Sequence, residues 1–284
     1  MDSKRFHTIS FLSDYGTKDE SVGVVKSVVR SLSPETKIID ITHGIKVHDV
    51  RSGGLALARS AQYLDSGVVL AVVDPGVGGS RIGVAIEVND GDYVFVGPDN
   101  GLLAPAIAML GEPSRAFELD NPEFHLPSLS PTFAGRDIFG PISAHLCQGV
   151  PLETLGSKIS VASLQPGLLP VGGREGEVAT AEVLWQDHFG NLQLNLSPKD
   201  VDDFGDNLRL QFGESMRSVV RVNTFEEIPV SEIGLLVDSY GLLALAVYGR
   251  SASEELQLFE GQQVELSALT DGATNSSPVT LRKR

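Results

Sequence analysis

The chain has one cysteine, one tryptophan and a deficit of basic residues, and each shortage excludes something. A lone Cys147 cannot form an internal disulfide, nor can it build a cysteine-rich metal site. Lys and Arg number 22 against 37 Asp and Glu, a formal net charge of −15. That balance argues against a nucleic-acid partner, because such affinity rests on Lys and Arg neutralising phosphates. A membrane-spanning helix needs about 18 consecutive apolar residues, and no run reaches that length, so no membrane partner is expected. The start, MDSKRFHTISFLSDYG, is briefly basic, but Ser and Asp break its apolar stretch, and it does not read as a signal peptide. The expected location is the cytoplasm. The six histidines (His7, His43, His48, His125, His145, His188) show no HExxH or other ligand spacing. No metal is expected.

What is present is the composition of a globular protein, 42% hydrophobic and 21% charged over 284 residues. That length is near the practical limit of one core, so two domains are expected. The first part alternates short β-rich runs with helical patterns. HTISFLSD, TKIIDIT, GVVLAVVDPG, RIGVAIEV and DYVFVGPD read as strands. SVGVVKSVVRSLS, VRSGGLALARSAQYL and LLAPAIAML read as helices. Such alternation, with continuously apolar strands, predicts an α/β domain built on a mainly parallel sheet. Ligands of these sheets sit at the carboxyl ends of strands, where SDYGTKDES, VDPGVGGSR and VGPDNG fall. From residue 157 a stretch rich in Ser, Gly and Pro reads as a surface connection. Beyond it short strands follow with little helix, which predicts a smaller antiparallel β-barrel-like or sandwich domain. The boundary is placed near residue 176, giving domains 1–176 and 177–284. The polar tail 270–284 is expected to fray.

Several turns can carry chemistry. Asp14, Asp19 and Ser21 lie between the first strand and the first helix. There a carboxylate can accept two hydrogen bonds from a vicinal diol, or a residue can merely cap the helix. Asp74 ends the most apolar strand and needs a partner if buried, and Arg81 lies on the same loop. The pair either holds the loop or orients a small nucleophile. The loop is glycine-rich but lacks the Gly-Lys-Ser/Thr of a Walker motif. Arg136 and Asp137, in TFAGRD, precede an apolar helix that they can cap. Asp187-His188-Phe189-Gly190-Asn191 reads as a turn between β segments. An amide beside an aromatic also suits adenine, whose edge pairs while its face stacks.

Taken in order, FLSDYGTKDESVGVVKSVV, DITHGIKVHDVRSGGLALA, VVDPGVGGSR, VGPDNGLL, PTFAGRDIFGP and DHFGNLQLNL closely resemble the S-adenosylmethionine (SAM) hydroxide adenosyltransferase family, relatives of the SAM-dependent fluorinase and chlorinase. The resemblance runs from about Thr8 to about Leu256. It implies displacement of methionine from C5′ of SAM by water, giving adenosine and L-methionine, with SAM as substrate and no cofactor. It also implies a parallel-sheet domain plus a small β-barrel, and a homotrimer with sites between subunits. By the same resemblance Asp14 holds the ribose hydroxyls, and Asp19 and Ser21 lie near the methionine end. Asp187 receives the methionine ammonium and Ser239 its carboxylate. Phe189, Asn191 and Phe225 line the adenine, whose edge is read near Tyr248 and Gly249. His48 takes a place beside the ribose, and Phe133 belongs to the substrate-binding set.

Asp74 separates the branches. The halogenases resemble a version of this loop with Tyr there, whereas the hydroxide branch has the Asp and Arg matched by Asp74 and Arg81, the catalytic candidates. A buried carboxylate suits water and repels halide. The sequence departs from the family at Ala134, where the hydroxide branch carries a histidine. Asp74 and Arg81 suffice alone, another histidine such as His125 or His48 substitutes, or the protein binds SAM or adenosine with weak turnover or none. Halide-dependent adenosyl transfer is the remaining alternative.

Overall fold

The computed structural model describes residues 5–167 and 170–269; the tail from 270, expected to fray, lies outside them. The chain divides into two compact units, Met1–Leu169 and Pro170–Arg284.

In the first unit, β1 (Thr8–Ser13), α1 (Ser21–Leu32), β2 (Lys37–Thr42), α2 (Val50–Ala61) and β3 (Gly67–Val72) follow in chain order. They are succeeded by β4 (Gly83–Val88), β5 (Tyr93–Pro98), α3 (Ala104–Leu110), β6 (Pro113–Glu118), α4 (Gly140–Cys147) and β7 (Lys158–Ile159). The strands form one sheet in the order β2-β1-β3-β5-β4-β6-β7. The first four run parallel, and β4, β6 and β7 add an antiparallel flank. Every residue of β1 and β3 is buried, as expected of parallel strands covered on both faces. In α1 the buried Val25 and Val29 lie four residues apart on one stripe, joined by Val22 and Leu32 against Phe11, Phe139 and Ile142 in the core. Asp49 starts α2 by accepting a hydrogen bond from the Ser52 amide at 2.9 Å.

The second unit contains β8 (Gly173–Glu175), β9 (Val178–Gln186), β10 (Leu192–Leu194), β11 (Asn207–Phe212), β12 (Ser215–Arg221), β13 (Ile233–Val237), β14 (Leu243–Ala246), the short α5 (Ala252–Leu256) and β15 (Gln263–Ala268). Their order is β10-β14-β13-β12-β11-β15-β9-β8, and β9 also pairs with β10. Seven strands therefore close into a barrel, around a core that includes Leu192, Leu194, Leu208, Leu235 and Leu266. The barrel is not wholly antiparallel. Strands β12 and β13 are parallel, because residues 222–232, with a 3-10 turn at Phe225–Glu227, carry the chain back before β13 begins.

The connection also differs from its expected form. Lys158–Ile159 pairs with β6 of the first sheet, and Gly173–Glu175 pairs with β9 of the barrel. A division at 176 separates β8 from its own sheet, so the units part between 169 and 170 instead. Among the described residues no helix is long and apolar enough to cross a membrane.

Candidate active site

The order of the parallel strands places the key carboxylates. Asp14 follows β1 and Asp74 follows β3, and these strands are neighbours. The Asp14 amide donates to the Val72 carbonyl at 3.3 Å, which ties the two strand ends together. Both side chains line one cavity of about 210 Å³, with Tyr15, His48, Phe133 and Ala134. The third polar turn does not join them. Asp99 accepts from the Gln165 amide at 2.9 Å, and Asn100 donates to the Val73 carbonyl at 2.9 Å, so that turn braces the loop after β3.

The Asp74 side chain is 6% exposed and that of Arg81 16%. The guanidinium meets the carboxylate in two parallel bonds, Nε to Oδ1 at 2.8 Å and Nη2 to Oδ2. Its carbon also lies 5.3 Å from the centroid of the Phe139 ring. Bidentate pairing and aromatic packing fix Arg81, and Arg81 in turn fixes Asp74. Asp14 accepts the His48 amide at 2.9 Å on Oδ2. This leaves lone pairs for two hydroxyl donors. His48 reaches that position with a φ of 67°, and the contact comes from its backbone.

Sequence reasoning passed over Tyr15, although it stands beside Asp14 in SDYG. Its ring packs edge-on to Phe133, with centroids 5.5 Å apart. Burial pushes its phenol well above the ordinary value, and the negative charges of Asp14 and Asp74 push it further, against the opposing Arg81. The hydroxyl therefore stays protonated, a donor at the cavity wall. Gly135 is required next to it, since a Cβ there would overlap the Tyr15 hydroxyl. The Tyr15 amide donates to Ser13 Oγ at 3.3 Å. Ser13 Oγ bonds His43 Nδ1 at 2.7 Å, and His43 Nε2 lies 3.2 Å from Asp40 Oδ1. This Ser–His–Asp array looks like a hydrolase triad, but Ser13 is fully buried. Its place is beneath the Asp14–Tyr15 turn, which it braces.

The remaining candidates distribute as follows. Asp19 accepts the Ser21 amide at 3.1 Å and opens α1; neither residue lines the cavity. Arg136 and Asp137 pair with each other at 2.6 and 2.9 Å, within a π-helical turn, Gly135–Phe139, that leads into α4. In the barrel unit, Asp187 organises its own turn. Its Oδ1 accepts the Phe189 and Asn191 amides at 2.9 Å each, and its Oδ2 accepts Asn191 Nδ2 at 2.8 Å. Gly190 has a φ of 85°, and a Cβ there would overlap Ser251, so the turn admits little else. Phe189, Phe225 and Tyr248 are 76%, 51% and 51% exposed. Large rings held this far into solvent on a barrel rim suit stacking against a planar ligand. Ser239 is exposed, on a turn closed by Asp238 accepting the Tyr240 amide at 2.8 Å. Gly249 adopts a φ of 67° beside Tyr248.

A carboxylate-rich cavity at the ends of parallel strands, with a separate barrel unit, defines a two-unit α/β protein for a small polar ligand. The chain belongs to the SAM hydroxide adenosyltransferase family. The family's N-terminal domain model matches residues 9–156 and its C-terminal domain model residues 181–265. It is 40% identical over 260 residues to an (R)-S-adenosyl-L-methionine hydrolase of Salinispora tropica, covering 92% of this chain and 97% of that one. Identity is also 40% with an (R)-S-adenosyl-L-methionine hydrolase of Thermus thermophilus, over 91% of this chain and 98% of the relative. A fluorinase of Actinopolyspora mzabensis is 26% identical over 91% of this chain and 96% of its own. Among solved structures, an uncharacterized conserved protein from Thermotoga maritima superposes with a TM-score of 0.83 at 34% identity, over 91% of this chain and 99% of that one.

Proposed function

We propose that the protein hydrolyses S-adenosyl-L-methionine to adenosine and L-methionine. The observation that carries this reading is the buried Asp74, locked by Arg81 in the same small cavity as Asp14. Asp14 takes the ribose diol, and a water on Asp74 attacks C5′ in line with the sulfonium. The C5′–O bond forms as the C5′–S bond breaks, the electron pair goes to sulfur, and methionine leaves as a neutral thioether. The water's proton goes to Asp74. No general acid is needed, since the leaving group already carries positive charge. Orientation does much of the work, worth about 7–11 kcal/mol when both partners are held in near-attack geometry. A carboxylate at the attacking position disfavours halide as the nucleophile, since two negative charges repel strongly in a desolvated cavity.

The barrel residues Asp187, Phe189, Asn191, Phe225, Ser239, Tyr248 and Gly249 take the adenine and methionine ends of the substrate. The assembly is a homotrimer in which neighbouring subunits complete each other's sites, and no resident cofactor takes part.

Incubation with SAM in ¹⁸O-water tests the reaction: adenosine should appear with label in its 5′-hydroxyl, in equal amount to methionine. Added chloride should divert none of the product. Asp74→Asn should lower kcat by about 10²–10⁴-fold, the usual range for a general base, with little change in SAM affinity. SAM recovered intact after long incubation, together with measurable binding, would replace the hydrolase by a SAM-binding protein.

A further inference from the structure

The ring of Tyr15 stands edge-on to two others, with centroids 5.5 Å from that of Phe133 and 6.5 Å from that of Phe11. Its hydroxyl lies against Gly135, and the residue lines the small cavity together with Asp14, Asp74 and Ala134. A phenol carries one donor hydrogen and acceptor lone pairs on the same oxygen. Neither is bonded to a described residue. The oxygen is also absent from the polar atoms that are both sealed from solvent and unpartnered, so cavity water can reach it. The charges of Asp14, Asp74 and Arg81 all act on it. Two aromatic neighbours thus fix an unpaired hydroxyl among the carboxylate assigned to the ribose, the carboxylate assigned to the attacking water, and the guanidinium that holds the latter.

We propose that Tyr15 is a further catalytic residue of the hydrolysis, its Oη accepting one hydrogen of the attacking water while Asp74 accepts the other. This rests on the hydrolase reading and adds to it a second anchor for the nucleophile. A water that attacks must keep a lone pair for carbon, so both of its hydrogens need acceptors if its direction is to be fixed. Asp74 keeps a lone pair on each oxygen beside its bonds to Arg81 and supplies one acceptor. Asp14 is taken up by the ribose diol and the His48 amide. Ala134 and Gly135 present no polar side-chain atom, and His48 and Thr132 are exposed. His125 lines a different cavity, and its Nε2 is sealed from solvent. Tyr15 Oη is the acceptor that is left.

In the step itself the C5′–O bond forms, the C5′–S bond breaks and its electron pair goes to sulfur. One hydrogen of the water passes to Asp74. The other stays on oxygen as the new 5′-hydroxyl, hydrogen-bonded to Tyr15 until adenosine leaves. The phenol remains neutral throughout, so it aims the water without taking up the proton. Aim matters because a misplacement of about 1 Å at the reacting atoms can cost about 10²-fold in rate.

Tyr15→Phe tests this, since it keeps the ring between Phe11 and Phe133 and removes only the oxygen. The kcat for adenosine formation from SAM should fall by about 10–10²-fold. The SAM KM and the adenosine Kd should stay as in the wild type, and the fall should be the same factor across the pH profile. The discriminating measurement places Tyr15→Phe in an Asp74→Asn chain. Two groups that hold one water lose their effect together, so the double variant should be no more than about twofold slower than Asp74→Asn alone. A Tyr15→Phe enzyme with wild-type kcat overturns the proposal. Weakened adenosine binding that accounts for the loss makes Tyr15 a ribose ligand and overturns it too. So does a double variant slowed by the product of the two single factors, since that is an independent or structural effect. If the wild type makes no adenosine, the hydrolase reading fails and takes this role with it. An active wild type matched by Tyr15→Phe fails the role alone.

Discussion

At the residue scale the site depends on who already occupies each carboxylate. Asp74 gives one bond from each oxygen to Arg81 and keeps a lone pair on each for the attacking water, while Asp14 holds a single backbone amide, from His48. Asp14 is thus the carboxylate with the more capacity left for a ligand, and Asp14→Ala isolates that capacity. Hydrogen bonds to a charged group contribute about 1.5–3 kcal/mol. Calorimetry should show weaker binding of both SAM and adenosine, which share the ribose diol, and no change for methionine. Unaltered adenosine affinity would reduce Asp14 to a brace for the His48 loop. Tyr15 and Gly135 make a second residue-scale pair. A methyl group at 135 collides with the phenol oxygen before any other atom. Overpacking of this kind costs about 1–3 kcal/mol, so Gly135→Ala should lower the melting temperature. Tyr15→Phe in the same chain should recover much of it, because the colliding atom is gone.

At the scale of elements, the position of the site follows from strand order. Helices α1 and α2 return the chain so that β1 and β3 become parallel neighbours, and their two terminal aspartates then face one cavity. This much was legible in the sequence, since continuously apolar runs ending in acidic turns can hardly be anything but covered parallel strands. Tyr15 was not legible. Its role appears only when Asp14, Asp74 and the turn at Gly135 are brought around it, and nothing local in SDYG signals that. The parallel β12–β13 pairing was hidden for a similar reason: alternation fixes which residues face inward, but not the direction in which a neighbour runs. The edge strands β7 and β8 were hidden by composition, lying in a stretch whose Ser, Gly and Pro read as connection. The helix α4 offers its own test. Cys147, at its end and in the first core, has its thiol pushed up to about 11 by burial, against a small opposing contribution from Thr36. The folded state holds this proton more tightly than the unfolded chain does. The associated stability is present below the ordinary thiol value and is lost as pH rises through about 9 to 11. The loss should amount to about 1–3 kcal/mol at one pH unit per 1.36 kcal/mol. Denaturant midpoints measured across that window should fall less steeply for Cys147→Ala.

At the scale of the whole molecule there are two separate cores, and on the proposed reading their units divide the labour of recognising one substrate. Asp14, proposed for the ribose, and the Asp74–Arg81 pair belong to the first unit, and the adenine and methionine candidates belong to the barrel. A net charge of −15 favours the approach of a cationic sulfonium. If neighbouring subunits complete each other's sites in a trimer, two different lesions should complement. Asp14→Ala disables the first unit and leaves the barrel intact, while Asn191→Ala does the reverse. Each homotrimer should be weak. After the two are mixed and allowed to exchange subunits, some sites pair an intact first unit from one chain with an intact barrel from its neighbour. Random assembly of equal amounts makes this about a quarter of the sites in a cyclic trimer, so activity should rise towards about a quarter of wild type. Light scattering of the unmixed protein should give about three times the 30.3 kDa of one chain. A mixture no more active than its components, despite proven exchange, would place each site within one chain, and a monomer that turns over SAM would remove the trimer from the mechanism.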